Sequence, residues 1–434
     1  MNDRIKVVDS FPGSGKTSAM IQIINKMDED TKVIYITPFL SEVDRIIKNC
    51  PNKEFVQPSA YSGKGSKLNH LIKLILEGKN IVSTHALFMR ITDELINSLK
   101  MHNYVLILDE VMNVVQQYDL YEDYRGLNGE DKEIKTKQDI KSLIEKKYIR
   151  VNEDYSVDWI EEKDMLGKYE TLKEIIDRGL LYFVRDSLLI WSFPVEVFKE
   201  GIFDEIYILT YQFEYQIQHY YYKFYGLEYA NYKVKHQESQ YELYNNDNNI
   251  QEDLKWKITI KNLINIVDNS KLNKIGSYYS DAYNRTQKSS LSKTWYSNNM
   301  NLIQGLQNNM TNFFRHITNS KTEKRMWTCF KDHKKIFTNK NISKKQWVEL
   351  NSRATNEYIE KNVLAYMINR YPNAFFESFF DIRGIKIDRD KYALSELIQW
   401  IFRSAIRDNQ PIDLYIPSER MRNLLLDWLN NKIE

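Results

Sequence analysis

Residues 10–17 read Ser-Phe-Pro-Gly-Ser-Gly-Lys-Thr, between an apolar run, Ile5-Lys6-Val7-Val8, and a helix-forming run, Ser18-Ala19-Met20-Ile21-Gln22-Ile23-Ile24. Strand, glycine-rich turn and helix in that order constrain the fold more than any other stretch, because they are the setting of a phosphate-binding loop. Glycine reaches backbone angles closed to other residues, so N–H groups can close around phosphate oxygens. The helix that follows points its positive end at the same anion. In such a loop Lys16 reaches the β- and γ-phosphates and the Thr17 hydroxyl ligates Mg²⁺. Pro12, Gly13, Ser14, Gly15 and Ser18 complete the cradle. Ser10 stands where the strict pattern has its first glycine, and serine is small enough to be tolerated there. The bland alternative is a tight turn without a ligand. Lys-Thr placed directly after Gly-Ser-Gly argues against it.

The rhythm that begins here continues. Val33-Ile34-Tyr35-Ile36-Thr37, Asn80-Ile81-Val82-Ser83-Thr84 and Tyr104-Val105-Leu106-Ile107-Leu108 are short apolar runs, the first two followed by helical patterns. Continuous apolar strands alternating with helices predict an α/β fold with a parallel sheet covered on both faces. Ligands of such sheets gather at the carboxyl ends of the strands. The loop, Thr37, Thr84 and the pair Asp109-Glu110 all fall there.

The chain has 434 residues, enough for two or three domains. Residues 1–120 and 181–236 are predicted to form the first domain, with returning strands at 187–194 and 205–211. Residues 121–180 are highly charged and read as a helical insertion, and 237–323 as a linker and helical region. Residues 324–434 resume the βα rhythm weakly, at 325–330, 347–350 and 412–417, as a second α/β domain. With 61 basic and 59 acidic residues the net charge is +2, so any basic surface must be local. Two distant cysteines, Cys50 and Cys329, without metal-ligand spacing, suit a reducing, cytoplasmic compartment. A polar start leading straight into a strand predicts no signal peptide, and no apolar stretch approaches membrane-spanning length.

Nucleotide hydrolysis needs a second acidic site. Asp109 would hold Mg²⁺ through its water shell, and Glu110 would orient and deprotonate the attacking water. Positive charge is also needed at the transition state. Gln399, Arg403 and Arg407 are spaced i, i+4, i+8 in a helical pattern, so they are expected on one face. That stripe is either a phosphate-facing clamp or a solvated basic face.

Taken together these segments resemble superfamily 2 DNA/RNA helicases. Residues 9–17 resemble motif I, 36–45 motif Ia, 82–88 motif Ib/Ic and 108–111 motif II. Residues 208–213 fall where motif III would lie, Asn-Ser-Arg-Ala-Thr-Asn-Glu-Tyr (351–358) looks like motif V, and the Gln399/Arg403/Arg407 helix looks like motif VI. The pattern is most similar to the DEAD/DEAH-box-like helicases of bacteriophages. The resemblance implies two RecA-like P-loop NTPase domains with parallel sheets plus the helical insertion, ATP with Mg²⁺, and arginine fingers from motif VI. It implies a nucleic-acid track, DNA in preference to RNA, as single strand or fork. Backbone contacts would come from Thr37, Pro38, Arg45, Thr84, His85, Arg353, Thr355 and Asn356, and replication or recombination proteins would be partners. Two features depart from the family. The second arginine of motif VI follows eight residues after the glutamine rather than seven, and no adenine-reading glutamine motif is visible in the nine residues before Ser10.

Some readings stay open at this level. His85 is equally a packed strand-end histidine. Tyr220-Tyr221-Tyr222 offers a base-stacking platform or, more simply, helical core. Lys331, His333, Lys334 and Lys335 form a basic cluster or a solvated loop. A packaging motor of the terminase type shares the loop and the acidic pair but needs clustered acidic ligands, and Asp381, Asp388 and Asp390 are scattered. A nucleotide-gated DNA-binding accessory or loader without unwinding activity is the other alternative.

Overall fold

A computed structural model describes residues 3–63, 65–122, 128–161, 167–237, 240–245, 250–280, 285–286, 288–350 and 356–433. The chain divides into two units. The first comprises Met1–Ser10, Gly15–Asn245 and Asn373–Ile387; the second comprises Phe11–Ser14, Asn246–Pro372 and Asp388–Glu434.

The first unit is built on β1 (Ile5–Asp9), α1 (Lys16–Lys26), β2 (Lys32–Thr37), α2 (Leu40–Asn49), β3 (Ile81–Thr84) and β4 (Tyr104–Asp109). Continuous runs such as Ile34-Tyr35-Ile36 and Leu106-Ile107-Leu108 are fully buried, as strands covered on both faces must be. β2 stops at Thr37 because Pro38 follows and has no N–H for the ladder. α1 lays Ala19, Met20 and Ile24 into a core shared with Val33, Val105, Tyr207 and Leu209. Cutting Ile24 back to alanine would cost roughly 2–5 kcal/mol.

A smaller module interrupts this sheet. It contains β5 (Val115–Gln117), α3 (Gly129–Glu145), β6 (Ile149–Val151), β7 (Val157–Trp159), β8 (Leu181–Val184) and β9 (Leu188–Ser192). β5, β9 and β8 form an antiparallel sheet, and β6 pairs with β7. Ile140, Leu143, Ile149, Val157, Leu172, Ile176, Leu181 and Leu189 make a core of its own. Its dense charge is therefore the solvated side of a folded module that holds strands as well as helices. The apolar run at 187–194, expected as a returning strand of the main sheet, pairs here instead.

The main sheet resumes with β10 (Phe203–Thr210), followed by α4 (Ile217–Tyr225) and the hairpin β11 (Ala230–Gln237) and β12 (Gln240–Asn245). Its order is β12-β11-β1-β10-β4-β2-β3, and only the β11–β12 pair is antiparallel. α4 ends at Gly226, whose left-handed φ of 66° closes the last turn. Tyr220, Tyr221 and Tyr222 are buried among Phe198, Phe213 and Phe380, so the tyrosine run is core and not a platform.

The second unit carries β13 (Ile264–Ile266), β14 (Arg325–Thr328), β15 (Val363–Tyr366) and β16 (Ile412–Tyr415), all parallel, in the order β13-β16-β15-β14. The strand 363–366 was not expected. The run 347–350 makes only a single-residue bridge, Trp327 to Trp347. Residues 264–266, read from sequence within a linker and helical region, contribute an edge strand to this sheet. The helix Met300–Asn312 packs Ile303, Leu306 and Met310 over Trp327, Ala365 and Tyr415. One helix, α5 (Ala374–Asp381), groups with the first unit, where Phe379 stacks on Phe224 at 4.5 Å. α6 (Arg389–Ile401) and α7 (Glu419–Leu429) belong to the second unit. Both units are thus α/β layers on predominantly parallel sheets, the fold class expected.

Candidate nucleotide-binding site

β10 lies between β1 and β4, with Asp9 beside Thr210 and Leu209 beside Asp109. The chain leaving β1, the turn after β10 and the acidic pair after β4 therefore emerge together at the carboxyl edge of the sheet, where ligands of parallel sheets bind. Gly13 and Gly15 both have φ of +87°, which side chains with a Cβ rarely adopt. Gly15 leads directly into α1, and Lys16 donates from Nζ to the Ser10 carbonyl at 2.6 Å.

Ser10 is more than a tolerated stand-in for glycine. It is 3 % exposed, and its Oγ accepts a hydrogen bond from the Val234 N–H at 2.8 Å. The loop is thereby tied to β11. Asp9 was missed by sequence reasoning. Its carboxylate accepts from the N–H groups of Gln212 and Phe213, both at 2.8 Å. Burial pushes its pKa up, while the two N–H donors, Lys16 and Lys233 pull it down. An acidic residue closing an apolar strand was the available signal, the same one that marked Asp109.

Burial pushes the Asp109 carboxyl up to about 7, reinforced by the negative charges of Glu110 and Glu42 and opposed by Lys16. Crowded carboxylates beside a phosphate-type loop favour a divalent cation, and a Mg²⁺ of this kind needs only one or two protein ligands besides phosphate and water. Among the described residues there is no group of three or more His, Cys, Asp or Glu that could hold a metal. Glu110 has a φ of 75° and donates its N–H to the Leu209 carbonyl at 2.9 Å. A glutamate in the left-handed region is strained, as side chains held at functional sites often are.

The residues expected to touch nucleic acid divide. Thr37 is fully buried and His85 is 7 % exposed, with its Nε2 3.1 Å from the Asp109 carbonyl. Neither side chain faces solvent, and His85 is packed against the acidic strand end. Pro38 and Thr84 are half-buried. Arg45 pairs with Glu42 at 3.2 Å and donates to Ser18 Oγ at 3.3 Å, so it is held at the loop helix. Arg353 and Thr355 lie outside the described residues, as does the side chain of Asn356.

In the second unit the motif VI reading needs correction. α6 ends at Ile401, and Ala405–Asp408 is a separate 3₁₀ turn. Gln399, Arg403 and Arg407 therefore share no helical stripe. Arg403 is buried and donates to the carbonyls of Glu349 and Leu350 at 2.9 and 2.7 Å. Gln399 and Arg407 are half-buried. Of the scattered acids, Asp388 caps α6 and Asp390 pairs with Arg420 at 2.6 Å. In the basic cluster His333 is buried and Lys334 sits over the Trp347 ring at 3.7 Å.

The chain is 37% identical to the SPbeta prophage-derived protein YonV of Bacillus subtilis (strain 168), over 99% of this chain and 100% of that one. It belongs to the YonV family. The model of the YonV middle domain matches residues 130–191, the body of the module from α3 to β9. The model of the YonV C-terminal Rossmann-like domain matches 258–429, which holds the four-stranded parallel sheet. Two solved structures are similar at a distance from this YonV-family chain. Xpd4 of S. tokodaii is 13% identical, with a TM-score of 0.48 over 98% of this chain and 94% of that one. The DUF1998 helicase MrfA, solved bound to DNA and AMPPNP, is 12% identical, with a TM-score of 0.33 over 99% of this chain and 48% of that one. No described helix of this YonV-family chain is long and apolar enough to cross a membrane.

Proposed function

We propose that this protein is an ATP-dependent helicase or translocase acting on nucleic acid, in prophage DNA replication or recombination. One observation carries the reading: the phosphate-type loop after β1 and the Asp109-Glu110 pair after β4 share one sheet edge across a single intervening strand. Residues 12–18 would wrap the triphosphate, with the backbone N–H groups of 13–18 and the Lys16 ammonium donating to it. Thr17 and Asp109 would hold Mg²⁺, which when bound offsets charge on the phosphate oxygens. Glu110 takes the proton of the attacking water, and its fixed backbone limits how far the carboxylate can wander. Asp9 ties the loop to the turn at Gln212, so a shift at either is felt by the other. Arg407 and Gln399 are the remaining candidates for the γ-phosphate, since Arg403 is spent on Glu349 and Leu350. Pro38, Arg45, Thr84, Arg353, Thr355 and Asn356 stay proposed contacts to the nucleic-acid backbone, which position a strand without reading its sequence.

The test is ATP hydrolysis by wild type and Glu110→Gln, with and without single-stranded DNA, single-stranded RNA and duplex. Hydrolysis that rises on one nucleic acid and is lost in the variant supports the motor and names its track. Hydrolysis indifferent to every nucleic acid removes it. The separate core of the inserted module favours a second reading, a nucleotide-gated DNA-binding accessory that docks partners through that module. DNA-stimulated hydrolysis with neither strand separation nor movement along the strand would select it.

A further inference from the structure

The hairpin β11–β12 sits at the edge of the main sheet beside β1, with Lys6, Val7 and Val8 opposite Ala230, Asn231 and Tyr232. β11 runs on after β1 has ended, and at about 3.3 Å per residue His236 lies roughly 13 Å past the Val8 register. That is the end of the sheet from which the loop emerges. Two hydrogen bonds pin the hairpin there. Val234 donates to Ser10 Oγ, and Tyr241 donates its N–H to Gln22 Oε1 of α1 at 2.9 Å.

The Tyr241 ring rests on Gly15. A Cβ built on that glycine would lie 2.3 Å from Tyr241 Cε1 and 2.9 Å from Cζ, so the ring occupies the space a side chain would need. His236 is paired in register with Tyr241, and their rings stack with centroids 4.5 Å apart and planes 28° from parallel. Tyr241 is half-buried against the loop end, whereas His236 is exposed. The result is a two-ring stack that starts on the backbone at the phosphate loop and ends on an aromatic ring open to solvent.

We propose that this stack is the base-binding surface of the nucleotide site: the His236 ring, backed by Tyr241, receives the purine of a nucleoside triphosphate. The inference rests on the reading of the loop as a triphosphate site. Stacking uses the flat face that every base has and reads no hydrogen-bonding edge. The larger purine ring covers more of the platform than a pyrimidine does, so burial favours purines. The site should therefore accept adenine and guanine nucleotides alike and take cytidine and uridine nucleotides less well.

Isothermal titration calorimetry on the full chain with Mg²⁺ and ATP, GTP, CTP or inorganic tripolyphosphate tests this. His236→Ala should weaken ATP and GTP at least about fivefold, the lower end of base–aromatic stacking, and leave tripolyphosphate within twofold. His236→Phe, which restores a ring, should recover ATP binding. Unchanged ATP affinity in His236→Ala, or equal losses for ATP and tripolyphosphate, would overturn the assignment. Wild type that binds tripolyphosphate as tightly as ATP overturns the base site and leaves the phosphate loop standing. Wild type that binds neither overturns both.

Discussion

The Oγ of Ser10 accepts a hydrogen bond from the N–H of Val234, 224 residues away in the chain. The serine occupies the loop position where glycine is usual, and its hydroxyl satisfies a buried donor on the neighbouring strand. The departure from the strict pattern therefore has a structural partner.

Ser10→Gly would bring the loop to the strict pattern and still destabilise the protein. The Val234 N–H would lose its acceptor inside the fold, at a cost of about 1–3 kcal/mol. Chemical denaturation of wild type and variant measures this, and a variant as stable as wild type would refute it.

Asp9→Asn replaces a carboxylate that accepts two backbone N–H groups with an amide that can offer one oxygen and sets an NH₂ against the other donor. The expected loss is about 1.5–3 kcal/mol, the range of hydrogen bonds to a charged group. ATP turnover should fall as well, because the loop and the Gln212 turn lose their tie. Melting and steady-state hydrolysis read the two effects separately.

Arg403 and Arg407 should behave oppositely. Arg403→Ala strands the carbonyls of Glu349 and Leu350 and should destabilise by about 2 kcal/mol or more. Arg407→Ala, at a half-exposed position, should leave stability within about 0.5 kcal/mol of wild type and slow hydrolysis. Equal melting temperatures for wild type and Arg403→Ala would contradict this division.

His219 gives the fold a pH dependence. It is 6 % exposed, its Nδ1 lies 2.9 Å from the Tyr229 hydroxyl, and burial, aided by Lys223, pushes its pKa down from 6.5 to about 4. The unfolded chain binds the proton first. This residue therefore costs nothing above pH 6.5, destabilises progressively as pH falls to about 4, and adds no further penalty below, to a total of at most roughly 3 kcal/mol. His219→Gln should flatten that part of the stability profile relative to wild type, which denaturation at pH 7, 5.5 and 4.5 will show.

Much of the site was legible because its signals are local. The loop announces itself in eight consecutive residues, and Asp109-Glu110 closes an apolar run five residues long. The parallel sheet follows from strands too apolar to face water on either side. The motif VI stripe failed for an equally physical reason. Periodicity describes a helix only while the helix lasts, and α6 stops at Ile401, before Arg403.

By itself, then, the sequence determined that a phosphate-type loop, a strand–helix alternation and an acidic strand end exist in this chain. Each is a pattern within a few residues, set by side-chain size, backbone freedom and apolar periodicity. Only the tertiary structure decided that β10 separates β1 from β4, that Asp9 reaches the turn at Gln212, that Ser10 meets Val234 and that Tyr241 lies on Gly15. These contacts join residues some 200 positions apart. Strand order brings them together, and strand order is chosen by how whole elements pack, which no short run of residues encodes.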